Sequence, residues 1–327
     1  MVKSLGWKRI SLGIIVGALL LFPFISESRT LIILLTQIFI FAILAMSYDI
    51  LLGYTGIVSF GHAMFFGIGA YATAIMLKDL EPTLASFFLS VFVGVVIAGI
   101  VSFFIGLLTL RLQSHYYAMF TLAVSGLFLV AAEKWRSLTL GNDGFTFRAP
   151  ELFTDRTTFY IFVLLCLVVI YVLLHLFVKS PFGSVLIAVK ENERRTAALG
   201  YKTLYYKVVS SVVAGVVASI AGSLYVVSLR FVNTSVMAID VTLNSLLMTI
   251  IGGVGTLTGP IIGAVIIELA QHNLSNLAKY HAIFERWIIF FGVIYILAVI
   301  FFPKGVVGTL QDRFKRRKNN NITKKAG

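Results

Sequence analysis

The chain has 327 residues, of which 59% are hydrophobic and only 13% charged, and its mean hydropathy is +0.96. These values exclude a soluble globular domain, because apolar runs approaching the roughly 20 residues that cross a bilayer recur from end to end. The net charge of +13 does not require nucleic acid, since a basic strip beside a membrane accounts for it, and Cys166 as sole cysteine excludes disulfides and cysteine-ligated metal sites within the chain.

Hydropathy predicts an all-α polytopic bundle of ten spans, at about 10–27, 30–48, 60–77, 84–110, 115–132, 158–178, 205–229, 241–252, 260–277 and 284–303. The eighth is short and is expected to continue into its flanking loops. Lys3, Lys8 and Arg9 before the first apolar run resemble a signal peptide. Phe22-Pro-Phe-Ile25 then stands where small residues would mark cleavage, so residues 1–29 are kept as a terminus and first span. Assigning both ends and alternate loops to one side collects 18 of the 27 basic residues there, while the loop Glu133–Thr157 balances four basic with four acidic residues. The positive-inside rule therefore places both termini and the 179–204 loop in the cytoplasm of a multi-pass membrane protein. The basic tail 311–327 reads as lipid-headgroup contact.

Glycine is concentrated in Leu52-Gly-Tyr-Thr-Gly-Ile-Val-Ser-Phe-Gly-His62. Backbone that is not helical at membrane depth is tolerated only where protein buries it or a wet cavity faces it, so broken glycine-rich segments mark a translocation pathway when they are not simply tight turns. Gly53, Tyr54, Gly56, Ser59, Gly61 and His62 are the pathway or gating candidates here, with Gly53 and Gly56 expected to need positive φ or close backbone approach. The following helix carries Ala63, Gly67, Ala70 and Ala74 at small-residue spacing, a signal for close helix contact first.

Between the sixth and seventh spans lies the charged stretch Ser184–Gly200, SVLIAVKENERRTAALG. Pro181 and Gly183 break the preceding span. Ser184 is expected to cap a short helix, Glu191 and Arg195 to pair at i,i+4, and Gly200 to take the C′ position. A structured polar helix between spans is a docking surface for a soluble partner.

A second glycine segment, Ile251-Gly-Gly-Val-Gly-Thr-Leu-Thr-Gly-Pro260, occupies the corresponding place after an inward-running span. It adds Gly252, Gly253, Gly255, Thr256 and Gly259 to the candidates, again against the plain alternative of a tight turn. Glu268 is the one carboxylate placed well inside the bilayer, either as a hydrogen-bonding group or as a polar point on the pathway. Such groups are sparse, which shifts the energy source outside the chain. No Walker A pattern, HExxH or GxSxG occurs, and the five histidines have no ligand-like spacing, so no metal site and no catalytic residue is expected.

Residues 51–71, the run Ala188–Gly200 and Ile251–Pro260, in this order and spacing, resemble the LivM-type permeases of ABC importers for branched-chain amino acids. Leu140-Gly-Asn-Asp-Gly144 and Phe301-Phe-Pro-Lys-Gly305 share the likeness. The resemblance implies a permease core over 30–310 in a bacterial or archaeal cell membrane, importing leucine, isoleucine or valine, or else urea or short amides. It implies a LivH-type permease partner, two cytoplasmic ATPases that bind the ATP and Mg, an extracytoplasmic solute-binding protein, and no cofactor in this chain. It also implies that Glu191, Glu193, Arg194, Arg195, Ala197, Ala198 and Gly200 belong to a coupling helix, 184–200, that enters an ATPase groove. Glu268 and the strongly basic tail depart from the family pattern. A self-contained secondary carrier is the competing class.

Overall fold

The protein, seen in a computed structural model, is described over residues 16–24, 28–109, 114–277, 292, 296 and 305–309. Its helices are α1 (16–24), α2 (Arg29–Asp49), α3 (His62–Asp79), α4 (Leu84–Thr109), α5 (Ser114–Lys134), the single turn α6 (Arg136–Thr139), α7 (Arg156–Lys179), α8 (Pro181–Glu191), α9 (Glu193–Ala198), α10 (Thr203–Leu229), α11 (Ile239–Gly252) and α12 (Thr258–Leu277). Five of the described helical stretches, Arg29–Thr55, Leu84–Leu108, Tyr116–Lys134, Arg156–Lys179 and Thr203–Leu229, are long and apolar enough to cross a membrane. The expected count of ten is not matched in full: α3, α11 and α12, at the expected third, eighth and ninth spans, are not among the five. The first span is described only over 16–24, and the tenth, 284–303, lies outside the described residues, as does the tail 311–327.

The spans divide into an inner and an outer set. In α2 and α10, 67% and 61% of the apolar window is buried by protein, against 28%, 22% and 33% in α4, α5 and α7. The outer face of α4 presents Phe88, Phe92, Ile100 and Phe104 to the surroundings, as a lipid-facing helix must. Inside, α10 packs on α3, α4 and α2, and α12 packs on both α11 and α2.

Lipid supplies no hydrophobic force between helices, so close approach and interhelical hydrogen bonds take over. Ser223 of α10 donates to the Gly69 carbonyl of α3 (3.1 Å), and Ser102 of α4 meets Ser211 of α10 (3.0 Å). Thr249 of α11 donates to the Ala45 carbonyl of α2 (3.2 Å), and the Ala63 amide of α3 donates to the Thr242 hydroxyl of α11 (2.8 Å). Small residues permit the approach: a Cβ at Gly222 or Gly263 would collide with the backbone of Phe66 or Met248.

At one end, two loops close over the bundle. The strands β1 (Phe145–Thr146) and β2 (Phe231–Val232) pair antiparallel, Thr234 bonds Asn142, Arg230 donates to the Thr154 carbonyl (2.9 Å), and Lys78 lies over the Phe145 ring (4.7 Å). Asp155 caps α7, and hydrogen bonds from the Thr158 hydroxyl and amide hold its carboxyl below the ordinary value. This cap joins Glu133–Thr157 to the segment after α10. The charged stretch lies beyond the far end of α7, 24 residues away along the helix.

Candidate functional site

Helix α2 does not stop where its α-helical hydrogen bonding ends. Ile50–Thr55 continues it as a wider π turn, and the Thr55 hydroxyl donates to the Ile50 and Leu51 carbonyls (3.1 and 2.6 Å). The turn ends at Gly56, whose φ of +73° is the left-handed conformation that glycine adopts without steric cost. The chain then runs without helix to Gly61, the N-cap of α3. Along it the Phe60 amide donates to Thr121 (3.1 Å) and the Gly61 amide to the buried Ser59 hydroxyl (3.2 Å). Tyr54 is buried in the π turn, and the fully buried His62 ring sits edge-on to Tyr48, centroids 4.8 Å apart.

The second glycine segment is built differently. Gly252 ends α11, Gly253 and Gly255 have φ of +129° and +76°, and Thr256 bridges the turn by donating to the Gly253 carbonyl (2.8 Å) and accepting from the Gly259 amide (2.9 Å). Gly259 lies in the first turn of α12, its backbone against Gly252.

The two turns meet. Asp49, at the end of α2 and fully buried, accepts from the Gly255 amide (2.7 Å) and from the Leu257 amide (3.2 Å). Convergent amides around a concavity favour an anion, and here the chain supplies it itself. Gly53 and Gly255 are in backbone contact, so a Cβ on Gly53 would stand 2.6 Å from the Gly255 nitrogen, and Gly305 closes on Gly253 from the third side.

The charged stretch reaches this junction through Lys190. Its ammonium donates to the Gly53 carbonyl (2.7 Å), and its stem packs against Gly56. Both glycine turns and the charged stretch therefore share one end of the bundle, opposite the β1–β2 cap. The stretch itself departs from the expected single helix over 184–200. Ser180, not Ser184, caps α8, with Pro181 at the first helical position, and Asn192 (φ −159°) breaks the helix and caps α9 through the Arg195 amide (2.9 Å). The Glu191–Arg195 pair is excluded by that break. Glu193 instead pairs with Lys207 of α10. The end of α9 follows expectation: Gly200 (φ +92°) donates to the Ala197 carbonyl (2.9 Å) and Tyr201 to the Thr196 carbonyl (3.4 Å), a Schellman stop. Glu191, Glu193, Arg194, Arg195, Ala197, Ala198 and Gly200 are all exposed.

The first and second sets of glycine candidates thus come together, whereas Glu268 stands apart, nearly buried in the middle of α12 beside α2. Asp49 and Lys190 are the residues that sequence reasoning missed.

The family described as branched-chain amino acid transport system, permease component, matches residues 30–299. The chain belongs to this family. It is similar to the high-affinity branched-chain amino acid transport system permease protein LivM of Salmonella typhimurium, with 22% identity over 320 residues covering 88% of this chain and 72% of that one. The LivM protein of Escherichia coli is 21% identical over the same shares, and the probable LivM of Methanocaldococcus jannaschii is 22% identical, covering 82% of this chain and 90% of its own. No solved structure matches the chain. The family match covers both glycine turns, Asp49 and the charged stretch. The expected likeness to LivM-type permeases is borne out.

Proposed function

We propose that this chain is the membrane-spanning permease subunit of an ATP-driven ABC importer, and that with a second, LivH-type permease it forms an alternating-access pathway for leucine, isoleucine and valine. Two cytoplasmic ATPases hydrolyse ATP and an extracytoplasmic protein delivers the solute. The observation that carries this reading is the contact of Lys190 with the Gly53 carbonyl, because it ties an exposed charged segment to both glycine turns. A soluble engine that moved α9 would thereby pull on two broken membrane segments at once. The surplus of basic residues beside α8 and α9 supports a cytoplasmic position for that engine, with both termini on the same side. The names of the LivM relatives support the solute class.

The exposed residues of α9 and the end of α8 form the docking surface. Exchanging charges in a Glu191→Arg, Arg194→Glu variant keeps the net charge and spares the Glu193–Lys207 pair. A charge facing the wrong partner in a buried interface costs about 2–5 kcal/mol, against under about 1 kcal/mol for a solvated pair. The variant is expected to insert normally and to capture ATPase subunits at least tenfold less well in pull-down. Capture equal to wild type sinks the docking role.

A further inference from the structure

Glu268 opens onto a cavity of about 210 Å³ between α2 and α12. It lies ten residues into α12, about 15 Å along the helix axis at 1.5 Å per residue. Gln271, His272, Ser275 and Asn276 follow it at i+3, i+4, i+7 and i+8, forming one polar stripe, and Gln37 of α2 faces them across the cavity. His272 bonds Asn276 (3.0 Å), which fixes the imidazole at the cavity wall. Among the described residues the one salt bridge joins Lys207 to Glu193, so no basic side chain there neutralises Glu268.

A carboxylate buried to this degree demands a counter-charge or a polar ligand. At about 210 Å³ the cavity, open on one side, has room for the polar head of a small solute. Its lining offers acceptors on Glu268, Gln37, Gln271, Ser275 and Asn276, more than enough for the three donors of an ammonium group. We infer that the α2–α12 cavity is a subsite for the ammonium group of a small zwitterionic solute, with Glu268 as its counter-ion. The inference rests on the proposed import of branched-chain amino acids, and it makes Glu268 a solute-binding residue distinct from the glycine junction that transmits movement.

The test uses the full chain purified with the subunits that accompany it, with Cys166 replaced and a cysteine placed at the exposed Ser275. Leucine is expected to slow the reaction of that cysteine with a cationic methanethiosulfonate, which forms a mixed disulfide and releases methanesulfinate. 4-Methylpentanoate, which is leucine without its ammonium, is expected not to. In Glu268→Gln the half-protecting leucine concentration rises at least tenfold, and Glu268→Asp recovers part of the loss. Gln37→Leu, which keeps Glu268, raises it at least threefold and serves if Glu268→Gln does not fold. Modification indifferent to leucine, or equal protection by both compounds, overturns the subsite. So does loss of the second permease from the Glu268→Gln complex with protection unchanged, which would make the cavity a subunit contact. If the complex imports leucine while Ser275→Cys is never protected, only this inference falls. If the complex imports nothing on ATP, the proposed function falls instead.

Discussion

Valine at Gly255 or Gly53 is expected to abolish transport and lower the thermal stability of the purified chain. Gly255 has φ +76°, and its Cβ would stand 3.1 Å from the Gly53 carbonyl oxygen. Left-handed backbone alone costs an ordinary residue about 1–2 kcal/mol, and more for a β-branched one. Gly53 has no positive φ, but a Cβ there would overlap the Asp49 carboxylate and the Gly255 nitrogen, so the two turns would have to separate. Losses of about 3 kcal/mol or more are in keeping with strain and a broken buried hydrogen-bond set together. Gly17 provides the control: nothing lies within 4 Å of a Cβ there, so Gly17→Val is expected to stay within about 0.5 kcal/mol of wild type. Thermal unfolding in detergent, read beside uptake, separates these outcomes. Equal loss at Gly17 and Gly255 would show that the turns have no special demand.

Removing the link through Lys190 is expected to uncouple the molecule rather than unfold it. Lys190→Met keeps the unbranched stem against Gly56 and loses only the ammonium that bonds the Gly53 carbonyl. A hydrogen bond to a charged group contributes about 1.5–3 kcal/mol, enough to shift a two-state equilibrium by tenfold or more. Uptake should fall at least tenfold while ATPase subunits are still captured through α9, so the ATP hydrolysed per solute imported rises. Lys190→Arg should restore most of the coupling. Asp49→Ala is the harsher change, because it leaves the Gly255 and Leu257 amides buried without an acceptor, at about 1–3 kcal/mol each. It should lower both stability and uptake. A wild-type coupling ratio in Lys190→Met would remove the lysine from the transmission path.

Much of this arrangement is written locally. Apolar runs of span length locate the helices, and the glycine clusters at 52–62 and 251–260 mark where helices break, because positive φ and close approach have few other solutions. What sequence cannot display is pairing over distance. Asp49 and Gly255 are 206 positions apart, and nothing near Asp49 announces that its acceptors are turned towards a second glycine turn. Asp49 reads as a polar residue at a span end, and Lys190 as one more cation in a charged loop. The split of the charged stretch was within reach: Ser180 followed by Pro181 is a strong helix start, and Asn192 is as good a cap as Ser184. A single helix over 184–200 would make Glu191 and Arg195 neighbours, which the extended backbone at Asn192 prevents.

The most direct measurement is solute uptake by proteoliposomes holding this chain, its LivH-type partner and two ATPases, with the solute-binding protein outside. The account predicts leucine accumulation that requires lumenal ATP, persists when the proton and sodium gradients are collapsed, and is absent from vesicles holding this chain alone. Leucine accumulation by the chain alone under an ion gradient would contradict it.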